Sequence, residues 1–279
     1  MPELEVEALL RTPTVTVRDV RCAGTCQHKG PEECATSLQL VFPYRGVYVR
    51  HLGSDPAVAE ANHVVIFNPG EGYRISHPVH GGDASVVVVA DEAVLRELVP
   101  AALQRRGVLA LDPHQLRIDP HTQALIALLR HGLRAGAAAS LEAETLTLTL
   151  VRRAFGTLTS HRAGGTAGRR RLVDRAKLVL AGDPTRRWTL AAIAAEVDAS
   201  PVYLTQVFQD VEGVPLYRYH LRLRLARALD LLERCEDLSA LAFELGFSSH
   251  SHFSAAFRQL YGRSPSAFRR QAIRSPRRC

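Results

Sequence analysis

The spacing of apolar positions changes twice along this chain. From Thr14 to about Val89 the apolar residues come in short runs cut by Gly, Pro and Asn, and the runs at 15–20, 38–42, 46–51, 63–68 and 84–90 predict five strands. So many short strands in so little chain fit a small β-barrel or sandwich. Beyond residue 90 apolar residues recur at three- and four-residue steps, predicting helices over 92–104, 120–133 and 140–161. Leu125, Leu128, Leu129, Leu146, Leu148 and Leu150 fall on the last two, in apolar faces the strands are not expected to cover.

Past the Gly-rich stretch at 163–168 the helical spacing becomes a repeat. Ile193-Ala194 matches Leu241-Ala242 at an offset of 48, and Leu204 and Phe208 match Phe253 and Phe257 at 49. Each copy then runs from its last Phe to a Gly (Gly213, Gly262) and a Pro (Pro215, Pro265). Within a copy one apolar stripe (Leu190, Ile193, Ala194, Val197) breaks at Asp198-Ala-Ser200, and a second begins at Leu204, Val207 and Phe208. The pattern predicts helix, turn, helix, with Ser200 and Ser249 capping the second helices. In the second copy Ala242 and Gly246 supply the small contact residue and free backbone that a steep helix crossing needs. Asp198 holds the glycine position in the first copy, the weaker match. Between the copies 214–234 predicts a long helix opened by Pro215, with a stripe of Leu221, Leu225, Ala228, Leu229 and Leu232 and with Arg222, Arg224 and Arg227 mostly off it.

At 279 residues and 30.6 kDa the chain has room for two folding units, and 46% apolar with 23% charged residues excludes a disordered chain, a collagen-like fibre or a coiled coil. No apolar run approaches bilayer length, and the acidic N-terminus is unlike a signal peptide, so the expected location is the cytoplasm, with no membrane partner. An odd count of five cysteines then fits reduced thiols. The net charge of +7 is unevenly placed: residues 1–169 hold 17 basic and 17 acidic side chains, and residues 170–279 hold 18 and 11. A basic segment joined to a neutral one suits a chain of which one part meets a polyanion.

With the repeat and the charge in hand, residues 170–273 resemble the DNA-binding domain of the AraC/XylS family of transcriptional regulators, and Leu238 to Arg269 follows the family signature almost throughout. The resemblance implies seven helices, two helix-turn-helix units on a linker helix, and promoter DNA as partner, with RNA polymerase added if the protein activates. The N-terminal half resembles the family's cupin-like barrel, which binds an effector, followed by a helical segment that dimerises; the run from Asn68 to Pro78 carries this likeness. The implied fold is α+β, with a cupin-like effector-binding and dimerisation domain at 1–162, a linker at 163–169, an all-α AraC-type DNA-binding domain at 170–274 and a basic tail at 275–279. The expected assembly is a homodimer.

Setting aside the side chains needed for the core leaves Val202, Tyr203, Thr205, Gln206 and Gln209 outward on the first recognition helix. Gln206 can pair with adenine in the major groove and Val202 can pack on a thymine methyl. The second leaves Ser249, His250, Ser251, Ser254 and Ala255, short groups better suited to phosphate than to base discrimination. A solvated surface role is the alternative for Gln209 and Arg258. Two helices entering one face of a duplex should lie about one turn, roughly 34 Å, apart.

Catalysis is not expected. The cupin dioxygenase pattern needs histidines two residues apart with a later carboxylate, whereas His77 and His80 are three apart; the alternative is a metal-dependent cupin enzyme fused to a DNA-binding domain. Cys22, Cys26, His28 and Cys34 cluster near the N-terminus, where thiolates could bind zinc, copper or a heavier thiophilic ion. The other reading makes Cys22 a small buried residue at a strand end and the rest bystanders. In that case the effector, a small molecule, belongs in the barrel interior near Phe42, Tyr73 and His77.

Overall fold

A computed structural model describes residues 4–105, 109–156 and 165–273. The N-terminal half is built on two antiparallel sheets. Its strands are β1 (Leu4–Arg11), β2 (Val15–Cys22), β3 (Glu33–Cys34), β4 (Gln39–Gly46), β5 (Tyr48–Leu52), β6 (Asp55–Ala59), β7 (His63–Phe67), β8 (Gly72–Ser76), β9 (Asp83–Ala90) and β10 (Gln115–Arg117). One sheet has the order β1-β2-β9-β4-β7-β10, the other β3-β8-β5-β6. All five expected strands are present.

Side-chain alternation along the larger sheet explains why its strands look continuously apolar in sequence. Leu40 and Phe42 of β4, Val64 and Ile66 of β7, and Val86 and Val88 of β9 face three helices. Their neighbours Val41, Val65, Phe67 and Val87 face the smaller sheet, against Tyr48, Ala59 and Tyr73. Both faces are therefore buried, and period-two alternation separates two cores rather than core from solvent. The covering helices are α1 (Glu92–Leu98), α2 (Pro120–Arg134) and α3 (Ser140–Ala154). Asp91 and Asp119 cap α1 and α2.

Three helix ends differ from expectation. α1 stops at Leu98 because Pro100 follows, and a short 3-10 turn, Ala101–Leu103, completes the segment. α3 gives way at Phe155, and residues 157–161 of the expected helix lie outside the described residues. α4 (Ala167–Gly182) starts inside the expected linker, capped by Thr166; residues 163 and 164 and the tail at 275–279 also lie outside the described residues.

The C-terminal half continues with α5 (Leu190–Glu196), α6 (Pro201–Glu212), α7 (Leu216–Leu231), α8 (Leu238–Glu244), α9 (His250–Tyr261) and α10 (Pro265–Ile273), so α4 to α10 supply the seven helices the resemblance implies. Two cores divide it. Leu172, Val173, Ala176, Ile193, Ala194, Leu204, Val207 and Phe208 close the first around α4, α5 and α6. Leu241, Ala242, Phe247, Phe253, Phe257 and Phe268 close the second around α8, α9 and α10. α7 adds Leu216, Tyr219 and Leu223 to the first and Leu225, Ala228 and Leu229 to the second. A single stripe was expected on it; because it packs on both cores it is buried on several sides, and Arg224 donates from Nε to the Leu245 carbonyl at 2.8 Å while lying 4.1 Å from the Phe247 ring centre.

Of the leucines expected to be left uncovered, two are buried within the chain and four are half-buried. Leu129 and Leu150 are buried in the sheet-facing core, Leu125, Leu146 and Leu148 pack against it, and Leu128 packs on the second C-terminal core with Ala124 and Ala127. α2 therefore has two apolar sides, one for each half of the chain.

Candidate functional site

Each helix-turn-helix unit is shaped by its turn. At Gly246 the backbone is left-handed (φ 75°), and a Cβ there would sit 2.0 Å from the Thr185 carbonyl oxygen. Asp198 takes the same left-handed conformation (φ 51°) in the first unit, the one described non-glycine residue with positive φ. Ser200 then accepts from the Tyr203 amide at 3.2 Å and Ser249 from the His252 amide at 3.1 Å, which starts α6 and α9 cleanly out of the turns.

On α6 the burial alternates as the sequence predicts. Leu204, Val207 and Phe208 are fully buried, while Val202, Tyr203, Thr205, Gln206 and Gln209 are exposed, Val202 by 80%. An apolar side chain held that far into solvent has no packing role within the chain. Thr205 donates to the Pro201 carbonyl at 2.9 Å, and among the described residues no side chain hydrogen-bonds the Gln206 amide. On α9 His250, Ser251 and Ala255 are exposed, and Ser249 and Ser254 are half-buried. Ser254 and His250 pair with each other at 3.2 Å, and Ser249 is engaged as the cap. The outward surface of α9 is thus short and partly occupied by its own hydrogen bonds.

The thiol residues part company. Cys22 ends β2 directly opposite Asp83, which begins β9. Cys26 Sγ lies 3.4 Å from His77 Nδ1, and His77 Nε2 lies 2.7 Å from Asp83 Oδ1. Burial pushes the Cys22 thiol up, only partly countered by the Gly24 amide. Cys34 is exposed on β3, paired with Gly72, and His28 is exposed on the surface, so neither joins Cys22 and Cys26. His77 and Asp83 take their places, from a loop more than 50 residues further on, which cysteine spacing could not reveal.

The three residues expected around an effector are also separated. Phe42 faces the helices, Tyr73 lies between the sheets with its ring edge on Phe67, and His77 belongs to the thiol cluster. Phe42 sits at the wrong parity on β4 to face Tyr73: Val41 and its neighbours line the space between the sheets.

Sequence reasoning missed the polar contacts joining the two halves. Glu60 and His63, in the turn into β7, meet Lys177 of α4, Glu212 of α6 and Tyr219 of α7, all five buried. His63 Nδ1 is 2.5 Å from Glu60, its Nε2 is 3.5 Å from Glu212, and Lys177 Nζ is 2.5 Å from Glu212. Tyr219 donates to Glu60, and Asn62 donates to the Tyr219 carbonyl at 3.5 Å. Burial and Lys177 oppose protonation of His63, but Glu60 and Glu212 outweigh them and its pKa is raised. Despite burial, Lys177 and His63 hold the Glu212 carboxyl well below the usual range. The available signal was a lysine and a glutamate on otherwise apolar helix faces, since such charges are buried only when paired. On the other side of the interface Arg130 of α2 stacks 3.9 Å from the Tyr44 ring centre and donates to Asp230 of α7 at 2.7 Å.

Among the described residues, no helix is long and apolar enough to cross a membrane. A helix-turn-helix domain family matches residues 193–271, which spans both units. A probable transcriptional regulator of Photobacterium leiognathi, LumQ, is 30% identical over 213 residues, covering 73% of this chain and 81% of its own. An Escherichia coli helix-turn-helix regulator, YidL, is 31% identical over 108 residues, 38% of this chain and 36% of its own. A solved transcriptional regulator of Chromobacterium violaceum with an AraC-type DNA-binding domain is 27% identical, with a TM-score of 0.37, over 39% of this chain and 98% of that one. Both of the first two relatives are transcriptional regulators by name, and the first of them matches through most of both chains. With two capped helix-turn-helix units on one linker helix, and a regulator matching through most of its length, this chain belongs to the AraC family of transcriptional regulators.

Proposed function

We propose that this regulator selects its promoter mainly through α6, that α9 contributes phosphate contact and close approach, and that the two-sheet half, a cupin-like sensor, controls both in the cytoplasm. The carrying observation is the outward row on α6: Val202, Tyr203, Thr205, Gln206 and Gln209 stand exposed on a helix whose opposite side is fully buried. That is the arrangement a major-groove reader needs, with rigid backing and free side chains. Gln206 has the amide that can pair with adenine, and Val202 the methyls that can meet thymine. α9 presents Ser249, His250, Ser251, Ser254 and Ala255, of which three are already bound to one another or to the backbone. Control fits the interface, because Glu60 and His63 of the sensor half grip Glu212 at the end of α6 through the buried network.

Gln206→Ala is the test. Measured against a randomised duplex library, it should relax base preference at one or two positions, at a cost of about 1–3 kcal/mol on the preferred site. Ser251→Ala should instead weaken all sequences alike. Uniform loss in Gln206→Ala, with preference unchanged, contradicts the reading role.

A further inference from the structure

We infer that Cys22, His77 and Asp83 form a site for a borderline-soft divalent cation of the zinc class, and that its occupancy reaches the DNA-binding half through the loop between His77 and Asp83. The inference rests on the reading of the N-terminal half as a sensor and adds what it senses.

One ligand atom from each of the three residues lies within 4.8 Å of the other two. A thiolate, an imidazole nitrogen and a carboxylate oxygen around one point suit zinc or its close relatives; magnesium and calcium would reject the sulfur. His77 and Asp83 are buried and Cys22 is half-buried, so the site is enclosed yet reachable from the sulfur side. Three protein ligands leave a tetrahedral ion one further position. Behind His77, the Cys26 sulfur, 3.4 Å from Nδ1, can accept a hydrogen bond from Nδ1–H, which leaves Nε2, 2.7 Å from Asp83, for the ion. Cys26 is then a positioning residue, the usual role of a group on the far nitrogen of a metal-bound histidine.

The backbone is built to bring these residues together. β9 places Asp83 between Cys22 of β2 and Gly46 of β4. At Gly82 the backbone is left-handed (φ 67°), and a Cβ would fall 2.2 Å from the Cys22 carbonyl oxygen, so only glycine lets the two chain segments approach this closely. The loop also touches the DNA-binding half. Val79, in the loop between His77 and Asp83, packs with Leu178 and Ala181 of α4 on the sheet residues Val47, Val49 and Val58. A Cβ at Gly182, the end of α4, would lie 3.1 Å from Val79. α4 in turn carries Lys177 of the interdomain network. A cation that ties both ends of this loop to β2 would favour one seating of Val79 on α4 over others, and such differential affinity is what shifts an equilibrium.

The test uses the full-length protein, reduced and stripped of metal, titrated with Co2+ as a spectroscopic substitute for Zn2+. The expected result is one Co2+ per chain with a thiolate-to-cobalt charge-transfer band. Cys22→Ser should abolish the band and Cys34→Ser should leave it unchanged. Cys26→Ser should keep the band and weaken affinity by about 10–100-fold. Asp83→Asn, checked for fold by circular dichroism, should also weaken binding, so the site does not rest on one variant. DNA affinity of the same preparations is a separate readout. Metal-free protein should still bind DNA, which keeps the DNA-binding reading distinct, and Zn2+ should change that affinity several-fold in the original protein but not in Cys22→Ser. No thiolate band, or a band that survives Cys22→Ser, overturns the site. Stoichiometric metal that leaves DNA affinity unchanged overturns the coupling through the loop.

Discussion

Gly246 and Asp198 hold equivalent turns, and they show how far single residues were legible. The repeat aligned the two positions, and the left-handed backbone at both confirms that alignment as geometry. Only Gly246 is also pressed against another chain segment, by the Thr185 carbonyl. Gly246→Ala should therefore cost more than the roughly 1–2 kcal/mol of the left-handed conformation alone, because the added methyl meets backbone oxygen. Urea unfolding checks this, and a loss under about 1 kcal/mol would mean the turn can open freely. The outward residues of α6 and α9 were also readable, since removing a 3.6-residue core stripe leaves a unique remainder. The thiol site was half-readable: Cys22 and Cys26 were found by density in sequence, while His77 and Asp83 come from another strand end and needed the fold.

At the scale of elements, most of the strands recovered from sequence are those buried on both faces, whose apolar runs are dense: β4, β7 and β9; β2, which alternates buried with half-buried residues, was recovered by Val15, Val17 and Val20. β5 was recovered with them. Those missed have physical excuses. β8 (Gly72–Ser76) is largely polar or partly exposed, β6 begins with Asp55-Pro56, and β3 and β10 have two and three residues. β1 alternates Leu4, Val6, Ala8 and Leu10 with mostly charged residues, but it is an edge strand in which Leu4 and Val6 remain exposed, so its pattern buys little burial. α7 was misjudged for the opposite reason. A stripe predicts one buried face, and a helix shared by two cores has more, so Tyr219, His220 and Leu223 lie buried off the expected stripe. The same sharing explains α2, whose leucines serve the sheet on one side and the second helix-turn-helix core on the other.

For the whole molecule, the buried network between the halves makes a pH prediction. His63 faces Glu60 from its own turn, Glu212 from α6, Lys177 and Asp174 from α4, and Tyr219 from α7; Arg117 lies opposite it on β10. Its pKa is raised in the folded chain, so its stabilisation is complete below the ordinary imidazole value of about 6.5 and is lost as pH rises through the folded value. His131 is held down to about 3 by burial and by Arg130, and its contribution, like those of the lowered His51, His114 and His220, falls away only on acidification below that ordinary value; burial raises the Cys22 and Cys235 thiols, whose contributions are lost only above the ordinary thiol value of about 8.5, so the window between the two ordinary values isolates His63. Thermal stability of the full chain should fall through this alkaline window, and His63→Gln should flatten the fall; an equal slope in both would show that His63 stays neutral. The central claim is that one chain sets both recognition helices in the major groove of promoter DNA. Methylation interference on a selected duplex tests it most directly. Two patches of major-groove guanine interference on one face, about one helical turn or roughly 34 Å apart, are predicted; a single patch, or patches on opposite faces of the duplex, would contradict it.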